Sequence, residues 1–529
     1  MGSEVAAVHV LMVSFPAQGH VNPLLRMAKL LASKGLLVTF TTTDHTAQMI
    51  KRSDSTTTGN NLPIPIGEGH LRFEFFSDGW VVDEPKRYNL DLLMHQLETY
   101  AKDSFTRLLH KQFEEGRPVS CLVGNPFVPW ASDVATDMGI PCAVLWVQSC
   151  AVFSSYYHYF HRLTSFPTTD QPDLTVDLPG LPTLCSDEIP SFLHPTTRYV
   201  PLRNAILGQF KNLSKSFCVL VDSFEELERE SMCGMEANSE LRLRTVGPLF
   251  KHLSNEKKKI NKDSIQANMW KAEENCIEWL DSQEPSSVVY VSFGSIVTLE
   301  KSQKEEMAWG LLKTGLPFLW VVRPAADGWV GDDQKLPEGF VEEAKGKGKV
   351  VGWCPQEQVL EHPSVACFVT HCGWNSSLES LSSGVPVVAL PKWGDQVTNA
   401  KFLVDVYRVG VRMGRGEAEG KLVKRDEVAS CILDVVRGPR AEEMKKNALK
   451  WKAAAKEAVA EGGSSDRNIQ SFVDDVRGMT FLTKQKTQPC TNTIGNRDPL
   501  LPPAPIAVSA PNTSKVENTI LPLPEVLLP

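Results

Sequence analysis

Residues 353–396 read WCPQEQVLEHPSVACFVTHCGWNSSLESLSSGVPVVALPKWGDQ, and they gather side chains suited to holding a phosphorylated ligand. ACFVTH has the pattern of a strand, CGWN of a turn and SSLESLSSG of a helix start, so the free amides of Gly373, Trp374, Asn375 and Ser376 should point at an anion. The Ser and Asn side chains add donors, and His371 adds another. Trp353, just before Cys354-Pro355-Gln356, offers a flat face to a base, and Glu379, one turn into the helix, can accept from two vicinal hydroxyls such as those of ribose. The glycine spacing is neither GxGxxG nor a P-loop, which weakens dinucleotide and ATP readings. Cys367 and Cys372 flank His371 without a second pair, so no metal site is expected.

A second candidate lies far upstream, in SFPAQGHVN (14–22). His20 stands where a buried-strand pattern, VHVLMVSF, breaks and a helical one, NPLLRMAKLLASKG, begins. Leu24, Leu25, Ala28 and Leu31 share helical spacing, with Asn22 as N-cap, Pro23 at the first helical position and Gly35 as the stop. His20 is therefore expected in a strand-to-helix loop, where open α/β sheets face their ligands. A loop histidine bonded only to backbone is the plainer reading.

The elements that must position these residues alternate along the chain. VHVLMVSF, LLVTFTT, CLVGNPF and CAVLWV precede SVVYVSFGS, PFLWVVRP, GKVVGW, ACFVTH and PVVAL, with helical runs between them. Strands separated by helices imply parallel sheets built from βαβ units, and 529 residues are too many for one core. The expected fold class is α/β, two doubly wound parallel-sheet domains facing a cleft. The first spans residues 1–250 and the second 276–463, with a charged, aperiodic linker at 251–275. A capped helix follows at 464–483. Residues 484–529 have no aromatics and about nine prolines, and a disordered tail is expected there.

Hydrophobic content of 42% and charged content of 22% are ordinary for a globular protein. A formal charge of -8 gives no footprint for nucleic acid or an anionic membrane. The start of the chain lacks a basic n-region, and no uninterrupted apolar run reaches membrane-spanning length, so neither a secretory signal nor a membrane span is expected. The twelve cysteines are scattered, as reduced thiols in a cytoplasmic protein would be.

The 353–396 stretch resembles the donor-binding signature of plant UDP-dependent glycosyltransferases. The resemblance extends over roughly residues 7–480, through SFPAQGHVNP, VVYVSFGS and LPEGF. It implies the GT-B fold, with the C-terminal helix returning to the first domain, and a monomer without cofactor or metal whose donor substrate is UDP-glucose. By the same resemblance Trp353 stacks on uracil, Cys354 belongs to the donor site, Gln356 contacts the nucleoside and Glu379 holds the ribose. His371, Gly373, Asn375, Ser376 and Ser295 meet the diphosphate, while Trp374, Asp395 and Gln396 contact the sugar; Gln396 favours glucose over galactose. His20 becomes the catalytic base. Its usual aspartate partner is absent: CLVGNPF places Asn125 there.

An asparagine can orient an imidazole but cannot offset an imidazolium charge, so deprotonating a phenol should be weaker. A carboxylic acid, ionised at pH 7, needs no strong base. The sequences around both motifs also look like the subgroup that makes 1-O-glucose esters of hydroxycinnamic and hydroxybenzoic acids, gallic acid included, and like limonoid glucosyltransferase. The expected reaction is inverting transfer to a phenolic carboxylate, with a phenol, flavonoid or limonoid O-glucosyltransferase as the alternative. A silent nucleotide-sugar-binding protein and a Rossmann dehydrogenase are remoter readings. Asp133 is a possible substitute orienter, more simply structural. Phe15, Phe127, Trp130, Gln148 and Ser149, at strand ends, are read either as acceptor pocket or as core.

Overall fold

The structure is a computed structural model and describes residues 8–53, 62–81, 84–237, 239, 241–255, 275–323, 336–414 and 421–487. Among these, the first sheet is built from β1 (His9–Val13), β2 (Leu37–Thr43), β3 (Ile64–Ile66), β4 (Gly69–Phe76), β5 (Cys121–Gly124), β6 (Cys142–Trp146), β7 (Ser216–Val221) and β8 (Leu243–Thr245). Their spatial order is β3-β4-β2-β1-β5-β6-β7-β8. The second sheet contains β9 (Val288–Ser292), β10 (Phe318–Val321), β11 (Gly348–Val351), β12 (Val365–Thr370), β13 (Val387–Ala389) and β14 (Gly410–Arg412), ordered β11-β10-β9-β12-β13-β14. Central strands such as HVLMV and VVYVS are buried along their whole length, because helices cover both faces of the sheet.

Pairing is parallel except at one edge. The β3–β4 pair is antiparallel, since Gly67-Glu68 leaves no room for a crossover and Gly67 takes the positive φ of +56° that its tight turn requires. The all-parallel expectation fails there alone among the described strands.

Both sheets reverse direction at an inner strand: β1 lies between β2 and β5, and β9 between β10 and β12. A crevice opens at such reversal points, beyond the carboxyl ends of the strands. His20 and Asn125 follow β1 and β5, whereas Ser295 and His371 follow β9 and β12. The topology thus brings both candidate sets to switch points.

The first helix, α1, differs from its sequence reading. It spans Gln18–Ser33, so His20 sits in its first turn rather than in a loop. The cap is the extended Ala17, which contributes no side-chain bond, and Asn22 instead accepts from Gln18 Nε2 at 2.8 Å. Pro23 lies inside the helix, where it lacks the N–H that would bond the Gly19 carbonyl. Gly35, at φ +89°, follows the last turn as expected.

The final helix is Ser464–Thr487, four residues longer than its expected end at 483. Ile469, Phe472, Val473 and Val476 recur at helical spacing and join the core beneath the first sheet with Val10 and Leu36. Arg244 pairs with Asp475 at 2.7 Å, and Asn468 Nδ2 donates to the Thr245 carbonyl. Residues 256–274 of the expected linker and 488–529 of the expected tail lie outside the described residues.

Candidate active site

At the β1 switch point, three rings meet. The His20 imidazole lies edge-on to Phe15 (centroids 5.3 Å apart) and to Phe127 (5.0 Å), which are themselves 5.5 Å apart. Burial among them pushes the His20 pKa down to about 4, and hydrogen bonding with the Asn125 side chain draws it partly back. The ring is therefore neutral at pH 7. Asn125 Oδ1 accepts from the Phe127 N–H at 3.3 Å, closing a small turn after β5. His20 Nδ1 and Asn125 Nδ2 are both buried without a hydrogen-bond partner. Asp133 does not take the missing role: it pairs with Lys215 on the outer surface of the Trp130–Asp137 helix.

At the β12 switch point, the Trp374–Ser383 helix begins with Gly373 as a cap that offers no side-chain bond. Past Trp374, whose N–H bonds the Asp395 carboxylate, the amides of its first turn remain open to an anion. His371 is wedged beside this end, where a Cβ on Gly294 would come within 2.7 Å of the ring, and Gly294 itself has φ +71°. Burial and the nearby Arg323 charge lower the His371 pKa to about 4, so it too is a neutral donor or acceptor. Ser295 is held on the same side because its carbonyl accepts from the Arg323 guanidinium, which also bonds the Val297 carbonyl at 2.8 Å.

Next to the helix start, Gln356 Nε2 donates to Glu379 Oε2 at 2.6 Å and to Ser376 Oγ at 2.9 Å, while its Oε1 accepts from Tyr290 OH at 2.9 Å. Tyr290 also lies 3.3 Å from Cys354 Sγ. Burial and repulsion from Glu357 push the Glu379 pKa up to about 7, against the pull of Arg26 and Gln356. Trp353 is half-buried beside this cluster. Asp395, pushed up to about 6 by burial, accepts from Asn399 Nδ2 at 2.7 Å. Gln396 Oε1 takes the N–H groups of Lys392 and Trp393, which leaves its amide hydrogens for a ligand. The Trp374 indole N–H is committed to the Asp222 carbonyl at 2.7 Å, and its backbone N–H donates to the Asp395 carboxylate.

The two halves are joined at this point. Asn375 Nδ2 donates to the Gly19 carbonyl at 2.8 Å, the same carbonyl that Pro23 cannot bond within α1. A helix-breaking residue thereby frees the acceptor that ties the His20 turn to the Trp374–Ser383 helix. The arrangement suits a sugar nucleotide held beside a neutral imidazole.

Comparison with known proteins agrees. The model for "UDP-glucoronosyl and UDP-glucosyl transferase" matches residues 264–452, and that for "Glycosyltransferase, N-terminal domain" matches 6–62. A gallate 1-beta-glucosyltransferase of Punica granatum is 56% identical, over 92% of both chains. The chain belongs to the UDP-glucoronosyl and UDP-glucosyl transferase family. A limonoid UDP-glucosyltransferase of Citrus unshiu is 51% identical, over 92% of this chain and 94% of its own. Os79 from O. sativa, solved in complex with UDP, superimposes with a TM-score of 0.75 at 33% identity, covering 88% of this chain and all of that one.

This glycosyltransferase takes a UDP-sugar donor and a small-molecule acceptor, and it has the two-sheet GT-B architecture. Of the five residues read as acceptor pocket or core, Phe15 and Phe127 wall the imidazole, whereas Trp130 packs edge-on between Phe76 and Phe105. Ser149 caps the Cys150–Phe160 helix through Val152 N and donates to Asn399 Oδ1 at 3.1 Å, so it supports Asp395 indirectly. Gln148 is buried with its Oε1 unpartnered. Tyr290, Asn399 and Arg323 escaped the sequence reading; a Tyr within the apolar VVYVS run was the one visible signal. No cluster of three His, Cys, Asp or Glu among the described residues is arranged around a metal.

Proposed function

We propose that this enzyme transfers glucose from UDP-glucose to the carboxylate of a phenolic acid, a hydroxybenzoate such as gallate or a hydroxycinnamate, giving a 1-O-acyl-β-glucose ester. The observation that carries the proposal is the neutral amide of Asn125 beside the neutral His20. A carboxylate partner would only accept from the ring and would hold its proton on Nδ1, leaving Nε2 as a base. An amide can donate instead, which permits an Nε2–H that binds an acceptor carboxylate. The named activities of the 51–56% identical relatives, on gallate, cinnamate and limonoid substrates, support this choice.

The acceptor oxygen attacks the anomeric carbon from the face opposite the diphosphate, and the bond to the phosphate oxygen breaks with inversion. Charge developing on the departing UDP is met by the open helix amides, Ser376 and His371, so the reaction proceeds without a metal or cofactor. Asp395 and Gln396 hold the sugar hydroxyls, and Trp353, Cys354, Gln356 and Glu379 hold the nucleoside. The working form is a monomer, since both sets of site residues come from one chain. Its compartment is the reducing cytoplasm, a reading that the eleven described cysteines, all unpaired, support.

The test is incubation with UDP-glucose and, in parallel, a phenolic acid or its methyl ester, followed by mild base. A base-labile conjugate from the free acid, with little product from the ester, is expected. Efficient, base-stable glucosylation of the methyl ester would overturn the carboxylate assignment in favour of phenol transfer.

A further inference from the structure

Arg26 is the lone cation within the apolar stretch PLLRMA of α1, six residues beyond His20 and therefore about 9 Å along the same helix. Its guanidinium leaves the first domain to form an ion pair with Glu357, on the Gln356–Glu361 helix, and approaches Glu379 Oε1 at 3.8 Å. The Phe250 ring lies 5.5 Å from it on another side. A surface pair with the half-exposed Glu357 alone would contribute little. The second carboxylate is different, because Glu379 is buried and its other oxygen is already bonded to Gln356.

We propose that Arg26 is a positioning residue for the donor: from the helix that carries His20 it keeps Glu379 a free carboxylate for the ribose hydroxyls. This inference rests on the reading of Glu379 as the ribose-holding group. The groups facing Glu379 are Arg26 from α1, Glu357 and Gln356 from the adjacent helix, Asp222 after β7 and Tyr290 from β9; Lys29 adds a second cation near Glu357. Two acids, Glu357 and Asp222, act on the buried Glu379 carboxyl directly against the single cation Arg26, so without Arg26 it would retain its proton to higher pH. A protonated carboxyl turns one of its two acceptor oxygens into a donor, which weakens its hold on two ribose hydroxyls. Together with the Asn375–Gly19 bond, the Arg26 contact ties α1 to the donor site at two points. Donor binding and placement of the imidazole thus share one helix.

The experiment is UDP-glucose binding to the full chain by calorimetry between pH 6 and 8.5, without acceptor. For a carboxyl that titrates near pH 7, wild-type affinity should fall about tenfold from pH 8 to pH 6. Arg26→Gln removes a cation and raises that midpoint. A rise of about one unit weakens binding about threefold at pH 7.5, with the deficit shrinking below about 1.5-fold at pH 8.5. Glu357→Gln removes a like charge and should shift the profile the opposite way, while Arg26→Lys should restore most of the wild-type curve. A loss of affinity in Arg26→Gln that is the same at every pH, or profiles that do not move in opposite directions, would overturn the proposal. Glu379→Gln separates the two readings: if it leaves UDP-glucose affinity intact, the ribose assignment itself fails.

Discussion

Replacing Asn125 by aspartate tests the central chemical argument. The substitution preserves shape and restores a carboxylate beside the His20 ring. Two unit charges about 4 Å apart at an effective dielectric of about 20 interact by about 4 kcal/mol, equivalent to about three pKa units. Burial of the new carboxylate takes back part of this, so the ring should rise from about 4 by about two units or more, into the range of a working base. An acceptor carboxylate on the far side of the ring, roughly 6 Å from the new charge, would be repelled by about 3 kcal/mol at the same dielectric, or about a hundredfold in KM. The sign follows from the charges: the substitution stabilises the imidazolium and opposes an anionic acceptor.

The assay compares glucosylation of a phenolic acid with that of its methyl ester from pH 5 to 9. Asn125→Asp should raise phenol glucosylation at least about tenfold, introduce an acid limb near pH 6 to 7 and raise KM for the free acid. In the wild type, ester formation should show no limb from His20 down to about pH 5, since its ring stays neutral there. A folded variant that binds UDP-glucose normally yet handles both acceptors as the wild type does would show that Asn125 does not set the acceptor class.

Two further substitutions examine the framework. Gly294→Ala places a Cβ 2.7 Å from the His371 ring at a backbone φ of +71°, so UDP affinity measured by calorimetry should drop at least about tenfold, with the protein still folded by circular dichroism. Asp133→Ala breaks only the surface pair with Lys215; ester-forming kcat should stay within about twofold and stability within about 0.5 kcal/mol by denaturant titration. A large loss of kcat there would reinstate Asp133 as an orienter of His20.

The elements around the candidate donor site were legible in the sequence because their signals are local. One unbroken stretch of 44 residues holds strand, turn, helix start and the polar side chains that gather around it, and the helix start is where backbone amides are left open. The nine strands read from apolar runs all form, but β3, β4, β7, β8 and β14 were missed; GHLRFEFF of β4, for example, interleaves charged and aromatic residues. The start of α1 was misread because Pro23 looks like a first helical residue. Its tolerance inside the helix depends on a side chain more than three hundred positions away, Asn375, which occupies the carbonyl it frees.

Residues near in sequence, or a recognisable motif, set the two mainly parallel sheets, the helix start after Gly373 and the placing of an asparagine rather than an acid beside His20. Only the tertiary structure decided which polar groups are neutral, which are already committed and which reach across. Burial pushes His20 and His371 down and Glu379 and Asp395 up, Trp374 and Ser149 bond to protein, and Arg26 reaches the carboxylate of another domain. Desolvation and cross-domain contacts are set by which atoms surround a group in space, and no spacing along the chain encodes that locally.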